Sequence, residues 1–275
     1  MSTSAPTIAP TFVASGSGLS FAGLLRSEWI KLRTVRSTLW SYATVILISV
    51  GMAALMAASF GAGGSQIPAD AQVAFVSQAA TFGVFFGQLV VAVLGVLAIS
   101  GEYTTGMIRS SATAAPRRLP MLAAKAVVLL VCTFVVGLVS TVASYLVASP
   151  ILAGTGVSAS ITDPDLFLPL LGGALYLALV SVFALGNGAI LRSSAGGIAA
   201  ALGILLLLPI ALLMIPADWA ADPMPYLIST AGLGIFGLNA FGPPLAEVWQ
   251  NVLVVLGWVA VSLGGAGVLL RRRDA

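Results

Sequence analysis

The residues from Gly101 to Lys125 combine charge and turn signals in a way that a simple connector would not need. They include a carboxylate, two glycines, two prolines and several basic residues, mostly in two runs: Gly101-Glu102-Tyr103-Thr104-Thr105-Gly106-Met107-Ile108-Arg109, then Ala115-Pro116-Arg117-Arg118 and Lys125. This order predicts a short polar loop that starts with a carboxylate at a membrane surface, turns at Gly106 and returns through a proline and a basic pair. Arginines alone would anchor such a loop, so Glu102 and Gly106 indicate a further role.

A second charged group lies in an amphipathic stretch near the amino terminus. Its apolar residues share one face at 100° per residue: Phe21, Leu24, Leu25, Trp29, Leu32 and Val35. Arg26, Ile30 and Arg33 lie opposite, and the pattern predicts a helix on the membrane surface. Glu28 falls inside the apolar arc. It is either a surface carboxylate paired with Lys31 one turn later, or a buried anchor to the bundle or to a partner.

Other chemistry is excluded by residue type. The chain has no histidine and one cysteine, Cys132, so His-ligated haem, zinc or copper and intrachain disulfides are ruled out. We expect no catalytic residue, no metal site and no cofactor bound by this chain.

The elements that carry these residues are membrane helices. Hydrophobic residues make up 59% of the chain and charged residues 8%, against about 25% charged in an average soluble domain. Apolar segments long enough for the roughly 20 residues of a spanning helix occupy residues 39–60, 80–100, 121–148, 166–190, 195–215 and 251–270. The expected fold is therefore an all-α integral membrane protein with six spans.

Charge distribution sets the expected orientation. With six spans, all basic residues fall on one side: Arg26, Lys31, Arg33, Arg36, Arg109, Arg117, Arg118, Lys125, Arg192, Arg271, Arg272 and Arg273. The connections on the other side carry only acidic charge: Asp70, Asp163, Asp165, Asp218, Asp222 and Glu247. The basic side is expected to be cytoplasmic, with both termini inside a bacterial plasma membrane.

The expected organisation has three parts. Residues 1–20 are rich in Ser, Thr, Ala and Pro and predict a disordered tail. Residues 21–37 form the cytoplasmic amphipathic helix, and residues 38–275 form the six-span domain. The apolar segment from Pro225 to Pro244 is not a seventh span, because a seventh crossing would place the carboxy-terminal arginines outside. Its glycines and proline pair predict a re-entrant or interfacial segment before the last span.

The spans themselves are almost free of charge. Only Lys125, near one end, is charged, and intramembrane carboxylates are the usual components of proton relays. A proton-driven transporter is therefore disfavoured. Small residues are frequent and are expected to serve close helix packing.

The charged motifs resemble a known family. Glu-Tyr-x-x-Gly followed by Pro-Arg-Arg and a lysine, together with Glu28-Trp29-Ile30-Lys31-Leu32-Arg33-Thr34-Val35-Arg36-Ser37, is similar to the permease subunits of ABC-2 type transporters, especially those of actinobacteria. Met107 departs from the pattern, since many relatives have threonine there. The resemblance covers nearly the whole chain. It implies that the leader helix and the 101–120 loop receive a separate ATPase.

The resemblance also assigns expected roles. Residues expected to transmit ATPase movement are Glu102, Tyr103, Gly106, Arg109, Glu28 and Lys31; the remaining basic residues flank the membrane. The chain has no G-x-x-x-x-G-K-[ST] motif, so ATP is expected on the partner. A second permease subunit, identical or paralogous, and export are also implied.

Two other classes of function fit the same spans and charges. One is a membrane anchor or assembly factor without transport activity, and the other is an ion-coupled carrier holding sodium by backbone carbonyls and hydroxyls. Nucleic-acid binding is disfavoured, because the basic residues flank apolar spans. The apolar, small-residue interior admits peptides, lipids or amphipathic drugs without selecting among them.

Overall fold

The computed structural model describes residues 20–63, 67–104 and 118–272. These ranges contain helices and no strand. The α-helices are α1 (Phe21–Thr34), α2 (Arg36–Gly63), α3 (Gln72–Thr81), α4 (Val84–Thr104), α5 (Arg118–Ala153), α6 (Pro164–Leu191), α7 (Ser194–Leu202), α8 (Leu208–Leu213), α9 (Ile228–Gly234) and α10 (Val248–Arg272). The predicted all-α class is confirmed. The tail expected over residues 1–20 lies outside the described residues, except for Ser20.

Within the described ranges, six helical segments are long and apolar enough to cross a membrane, which agrees with the predicted number of spans. They are Arg36–Phe60, Ala69–Tyr103, Leu119–Ala153, Pro164–Leu191, Ser194–Leu213 and Val248–Arg272. Their lengths of 20 to 35 residues and mean hydropathies of 2.1 to 2.6 satisfy the requirement of a hydrocarbon core about 30 Å thick.

Two spans are interrupted. In the second span, α3 gives way to α4 at Phe82 and Gly83, where a Cβ on Gly83 would lie only 2.3 Å from the Cα of Ser49 in α2. The missing side chain lets the two backbones approach closely. In the fifth span, a π-helical turn at Gly203–Leu207 separates α7 from α8, which has Pro209 in its first turn. Neither break was visible in the hydropathy pattern.

Helix α6 lies at the centre of the bundle. It packs most extensively against α4, α5 and α10, and 67% of its most apolar window is buried. Gly186 shows how closely these helices approach, since a Cβ there would fall 2.1 Å from Oγ of Ser262 in α10. Helix α6 is therefore the central helix against which other spans pack.

The contacts place the helix ends in two groups. Ser194 in the first turn of α7 hydrogen-bonds Ser100 in α4 at 2.8 Å, and Gly267 near the end of α10 lies beside Leu119 at the start of α5. We call this the basic end, because it carries every described basic residue: Arg26, Lys31, Arg33, Arg36, Arg118, Lys125, Arg192, Arg271 and Arg272. The opposite, acidic end carries Asp70, Asp163, Asp165, Asp218, Asp222 and Glu247.

Residues 224–244 form a covered segment at the acidic end. Its helix α9 is 7 residues long, far too short to cross a membrane, and all of its residues are buried. Trp258 Nε1 of α10 donates to the carbonyl of Tyr226 at 2.9 Å, and Gly232 lies against the ring of Tyr176 in α6. The segment is therefore packed on protein, as a non-spanning segment in a membrane must be.

Candidate functional site

Helix α1 brings two charged residues to the bundle. Ser20 caps it, with Oγ accepting from the Gly23 amide at 3.1 Å, and extended backbone at Val35 ends it. Its inward face centres on Glu28, which is 3% exposed, whereas Trp29 on the predicted apolar arc is 48% exposed. The amphipathic pattern thus predicted the helix, but the face that packs on the bundle is turned toward Glu28.

Glu28 and Lys31 meet two charged residues from the spans and form what we call the charge cluster. Lys31 Nζ donates to Glu28 Oε1 at 2.7 Å and to Glu102 Oε1 at 2.9 Å. Lys125 Nζ donates to Glu28 Oε2 at 2.5 Å and to Glu102 Oε1 at 2.9 Å. Each lysine therefore bridges both carboxylates, and the cluster joins α1, α4 and α5.

The cluster is largely withdrawn from solvent. Glu102 is 7% exposed and Lys125 is 5% exposed, while the Lys31 side chain keeps 31% of its surface. Two carboxylates and two ammonium groups leave no net charge, which is the condition under which buried ions are tolerated. Removing one member would strand an opposite charge in a medium that solvates it poorly.

Lys31 is the member of the cluster that belongs to the surface helix. Burial by itself lowers the pKa of Lys31, but its hydrogen bonds to Glu28 and Glu102 and the charges of both carboxylates outweigh burial. The pKa is raised above its ordinary value of 10.5. Lys31 is therefore charged at any physiological pH.

The structure resolves the two readings of Glu28, because both contacts occur. Glu28 pairs with Lys31 on its own helix, as a surface carboxylate would, and its second oxygen binds Lys125 of α5. The side chain is also buried. Glu28 is thus an anchor from α1 into the bundle that keeps its local ion pair.

The expectation that Glu102 starts a polar loop at the membrane surface is wrong. Glu102 belongs to the last turns of α4, which continues to Thr104. A carboxylate at this depth is costly unless it is paired, and the two lysines provide that pairing. Because these ion pairs stabilise Glu102 inside the bundle, α4 can continue past its last apolar residues. A hydropathy pattern does not include pairing between helices and therefore does not predict this extension.

Tyr103 and Arg192 form a second contact between helix ends. The Arg192 guanidinium carbon lies 5.5 Å from the centre of the Tyr103 ring, a distance suited to a cation–π interaction. Arg192 ends α6 in the left-handed conformation, with φ of 51°. This residue was expected only to flank the membrane, and the structure places it against a predicted transmission residue.

The other predicted residues divide into two groups. Gly106, Arg109, Arg117 and Arg273 lie outside the described residues. Arg33, Arg36, Arg271 and Arg272 are exposed at the basic end, and Arg118 begins α5. Sequence reasoning also treated Lys125 as a flanking charge and missed its place in the cluster. The sequence did offer one signal for this role of Lys125: two glutamates were predicted at the same membrane surface, and each would need a cation to pair with.

The fold and the site define a multi-pass membrane protein whose surface helix is tied to its spans by buried ions. Residues 24–207 match the sequence model of the family described as ABC-2 family transporter protein. This match covers more than half of the chain, and the chain belongs to that family. It contains the whole charge cluster and ends in the fifth span, before the 224–244 segment. No curated protein matches the chain in sequence.

Proposed function

We propose that this chain is the membrane-spanning permease subunit of an ATP-binding cassette exporter that is driven by a separate ATPase. Family membership supports the permease role. The observation that carries the proposal is the charge cluster, which joins α1 to the two helices flanking the 105–117 connection. A force applied to α1 or to that connection would be passed directly to α4 and α5.

In this proposal the charged residues transmit movement and perform no chemistry on the substrate. Glu28 and Lys31 link the surface helix to the spans, and Glu102 and Tyr103 lie in the last turn of the helix that leads into the connection. Gly106 and Arg109 would shape the surface that meets the ATPase. Closure of the ATPase would then shift helices in the membrane, as rigid elements joined by ions move together.

The ATPase is best tested by purifying the chain in detergent and identifying its co-purifying proteins by mass spectrometry. In the reconstituted complex, Gly106→Val should abolish transport while abundance in the membrane stays normal. Gly257→Val is the matched control, because no atom outside its own helix lies within 4 Å of a Cβ there. Full transport by Gly106→Val would mean that the 105–117 connection only joins α4 to α5. Recovery of no ATPase, together with no transport by the unchanged chain, would favour the anchor function instead.

We propose that the basic end faces the cytoplasm of a bacterial plasma membrane. The one-sided distribution of Lys and Arg supports this orientation. In a Cys132→Ala background, single cysteines at Ser158 and Ala221 should react with an impermeant maleimide in intact cells. Cysteines at Ser193 and Ala275 should react only after lysis, and external labelling of position 275 would contradict the orientation.

We propose that two permease chains and two ATPases form the working unit. Six spans provide half of the transmembrane helices that the family resemblance implies, and two-fold pairing is the commonest form of assembly. The second chain is another copy or a paralogue. Native mass spectrometry of the extracted complex should show two permease chains, and a transport-competent particle with one would overturn this stoichiometry.

A further inference from the structure

A cavity lies directly beside the charge cluster. It occupies about 340 Å³ between α1, the start of α2, α4 and α5. Its walls are mostly apolar and include Leu32, Leu94, Leu97 and Leu129, while the charged side chains line another part of it. An apolar cavity of a few hundred Å³ with a few convergent polar groups has the general form of a small-molecule site.

Glu102, which lines this cavity, carries one oxygen without a partner among the described residues. Glu102 Oε1 accepts from both lysines, but the buried Oε2 accepts no hydrogen bond there. A buried carboxylate oxygen without a donor is unfavourable, so the site is chemically suited to a ligand with an N–H or O–H group. An ionised donor would bind more strongly than a neutral one.

The exposure of Lys31 favours a ligand with a cationic head group over one with an anionic head group. Lys31 keeps 31% of its side-chain surface, whereas Lys125 keeps 6%, so Lys31 is the cation that can turn toward solvent when another takes its place. An incoming ammonium could then replace it beside Glu102, and the cluster would remain neutral. A carboxylate head would instead meet Glu28 and Glu102 and be repelled.

We infer that this cavity binds a small cationic amphiphile, with its ammonium group on Glu102 and its apolar body among the leucines. The ligand would reach the cavity at the level of the basic end. This site does not depend on the proposed ATPase, because all of its residues belong to one chain.

The full chain in lipid nanodiscs can be tested with a diazirine-bearing decylamine, followed by light-induced crosslinking and peptide mass spectrometry. Adducts should concentrate on Leu94, Leu97 and Leu129 and be suppressed by unlabelled decylamine. Decanol should compete roughly tenfold less well, as expected when a charge-assisted bond is replaced by a neutral one. Decanoate should not compete. Equal suppression by all three compounds would overturn the inference.

Control positions on the outer face of α5 distinguish binding in the cavity from nonspecific insertion of the probe into the lipid. The outward residues Val135 and Val139 of α5 are 53% and 51% exposed, and their adducts should not respond to decylamine. Equal labelling of this surface and the cavity, both insensitive to competition, would mean lipid-like contact only.

Three variants complete the test. Ala98→Phe should fill the cavity and abolish the adducts that decylamine suppresses, without changing a charged residue. Unchanged labelling would contradict the site.

Glu102→Gln should weaken decylamine competition about tenfold in protein that still elutes as a single folded species. Lys31→Met removes the internal competitor and should strengthen decylamine competition several-fold. Weaker competition in Lys31→Met would contradict the proposed exchange of cations.

Discussion

At the basic end, charged side chains join α1 to α4 and α5, whereas at the acidic end the 224–244 segment is held by close apolar contact. The cluster distances of 2.5 to 2.9 Å involve flexible side chains beside a cavity. In the 224–244 segment, a Cβ on Gly232 would lie 1.8 Å from the buried ring of Tyr176. The charge cluster is thus held by long, flexible side chains, whereas the 224–244 segment packs its backbone at Gly232 directly against the Tyr176 ring.

This difference indicates which end can rearrange. Lysine and glutamate side chains can reorient while the charges stay balanced, so the joined ends of α1, α4 and α5 can shift together without losing their ion pairs. Close-packed interiors deform little and change arrangement only in discrete steps. We therefore expect movement at the basic end, around a 224–244 segment that stays fixed against α6 and α10.

The largest expected effect comes from Lys125→Met. It leaves Glu28 and Glu102 with Lys31 alone, and stranding a buried charge typically costs about 3 to 5 kcal/mol. We expect a large fall in the thermal unfolding temperature in detergent. The double variant Lys125→Met with Glu102→Gln restores the charge balance and should recover part of the loss. An unchanged unfolding temperature in Lys125→Met would mean that the cluster does not hold this end.

A second effect tests close packing at the acidic end. Gly232→Ala should lower stability by about 1 to 3 kcal/mol, because the added methyl group overlaps the ring of Tyr176, which has no room to move. Gly257→Ala in α10 is the matched control, since nothing lies within 4 Å of its Cβ, and it should be neutral or slightly stabilising. Equal melting curves for both variants would show that the 224–244 segment is loosely packed.

The spans and the non-spanning segment could be predicted because they depend on sums over many residues. Hydropathy over about 20 residues locates a span, and charge parity separated residues 225–244 from a crossing. Helix breaks could not be found this way. The interruption at Gly83 depends on the approach of Ser49, which lies 34 positions away in the chain and becomes adjacent only on packing.

Three of the four residues of the charge cluster were named as candidates from the sequence, but their arrangement in space was not predicted. Glu28 was singled out because it falls inside an apolar arc, with Lys31 as its local partner, and Glu102 because arginines alone would anchor its loop. Their role in transmission came from the family resemblance. Their joint pairing with Lys125 could not be derived, because the partners are separated by up to 97 positions and come from three helices. Placing Glu102 in a loop followed from treating its charge as solvated rather than paired.

Substitutions of Arg192 can show whether the basic end depends on a backbone conformation as well as on charge. Both Arg192→Ala and Arg192→Gly lose the side chain above Tyr103, so their difference isolates the backbone. At φ of 51° glycine is unstrained and alanine is not, and Arg192→Gly should be more stable by about 1 kcal/mol. Differential scanning fluorimetry of the two variants measures this difference. A more stable alanine variant would contradict the left-handed conformation.

The smallest expected effect concerns pH and the charge of Lys31. Its pKa is raised in the folded protein by Glu28 and Glu102, despite burial, so the stability it contributes is complete below the ordinary value of 10.5 and is lost as pH rises through the folded value. The difference in unfolding temperature between the unchanged chain and Lys31→Met should therefore be constant from about pH 6 to pH 9. It should shrink only in more alkaline solution, where Lys31 loses its proton. Using the difference cancels, to first order, the titration of groups remote from Lys31. A difference that already declines between pH 7 and pH 9 would mean that the carboxylates do not hold the Lys31 proton, and the basic end would then owe little to this residue.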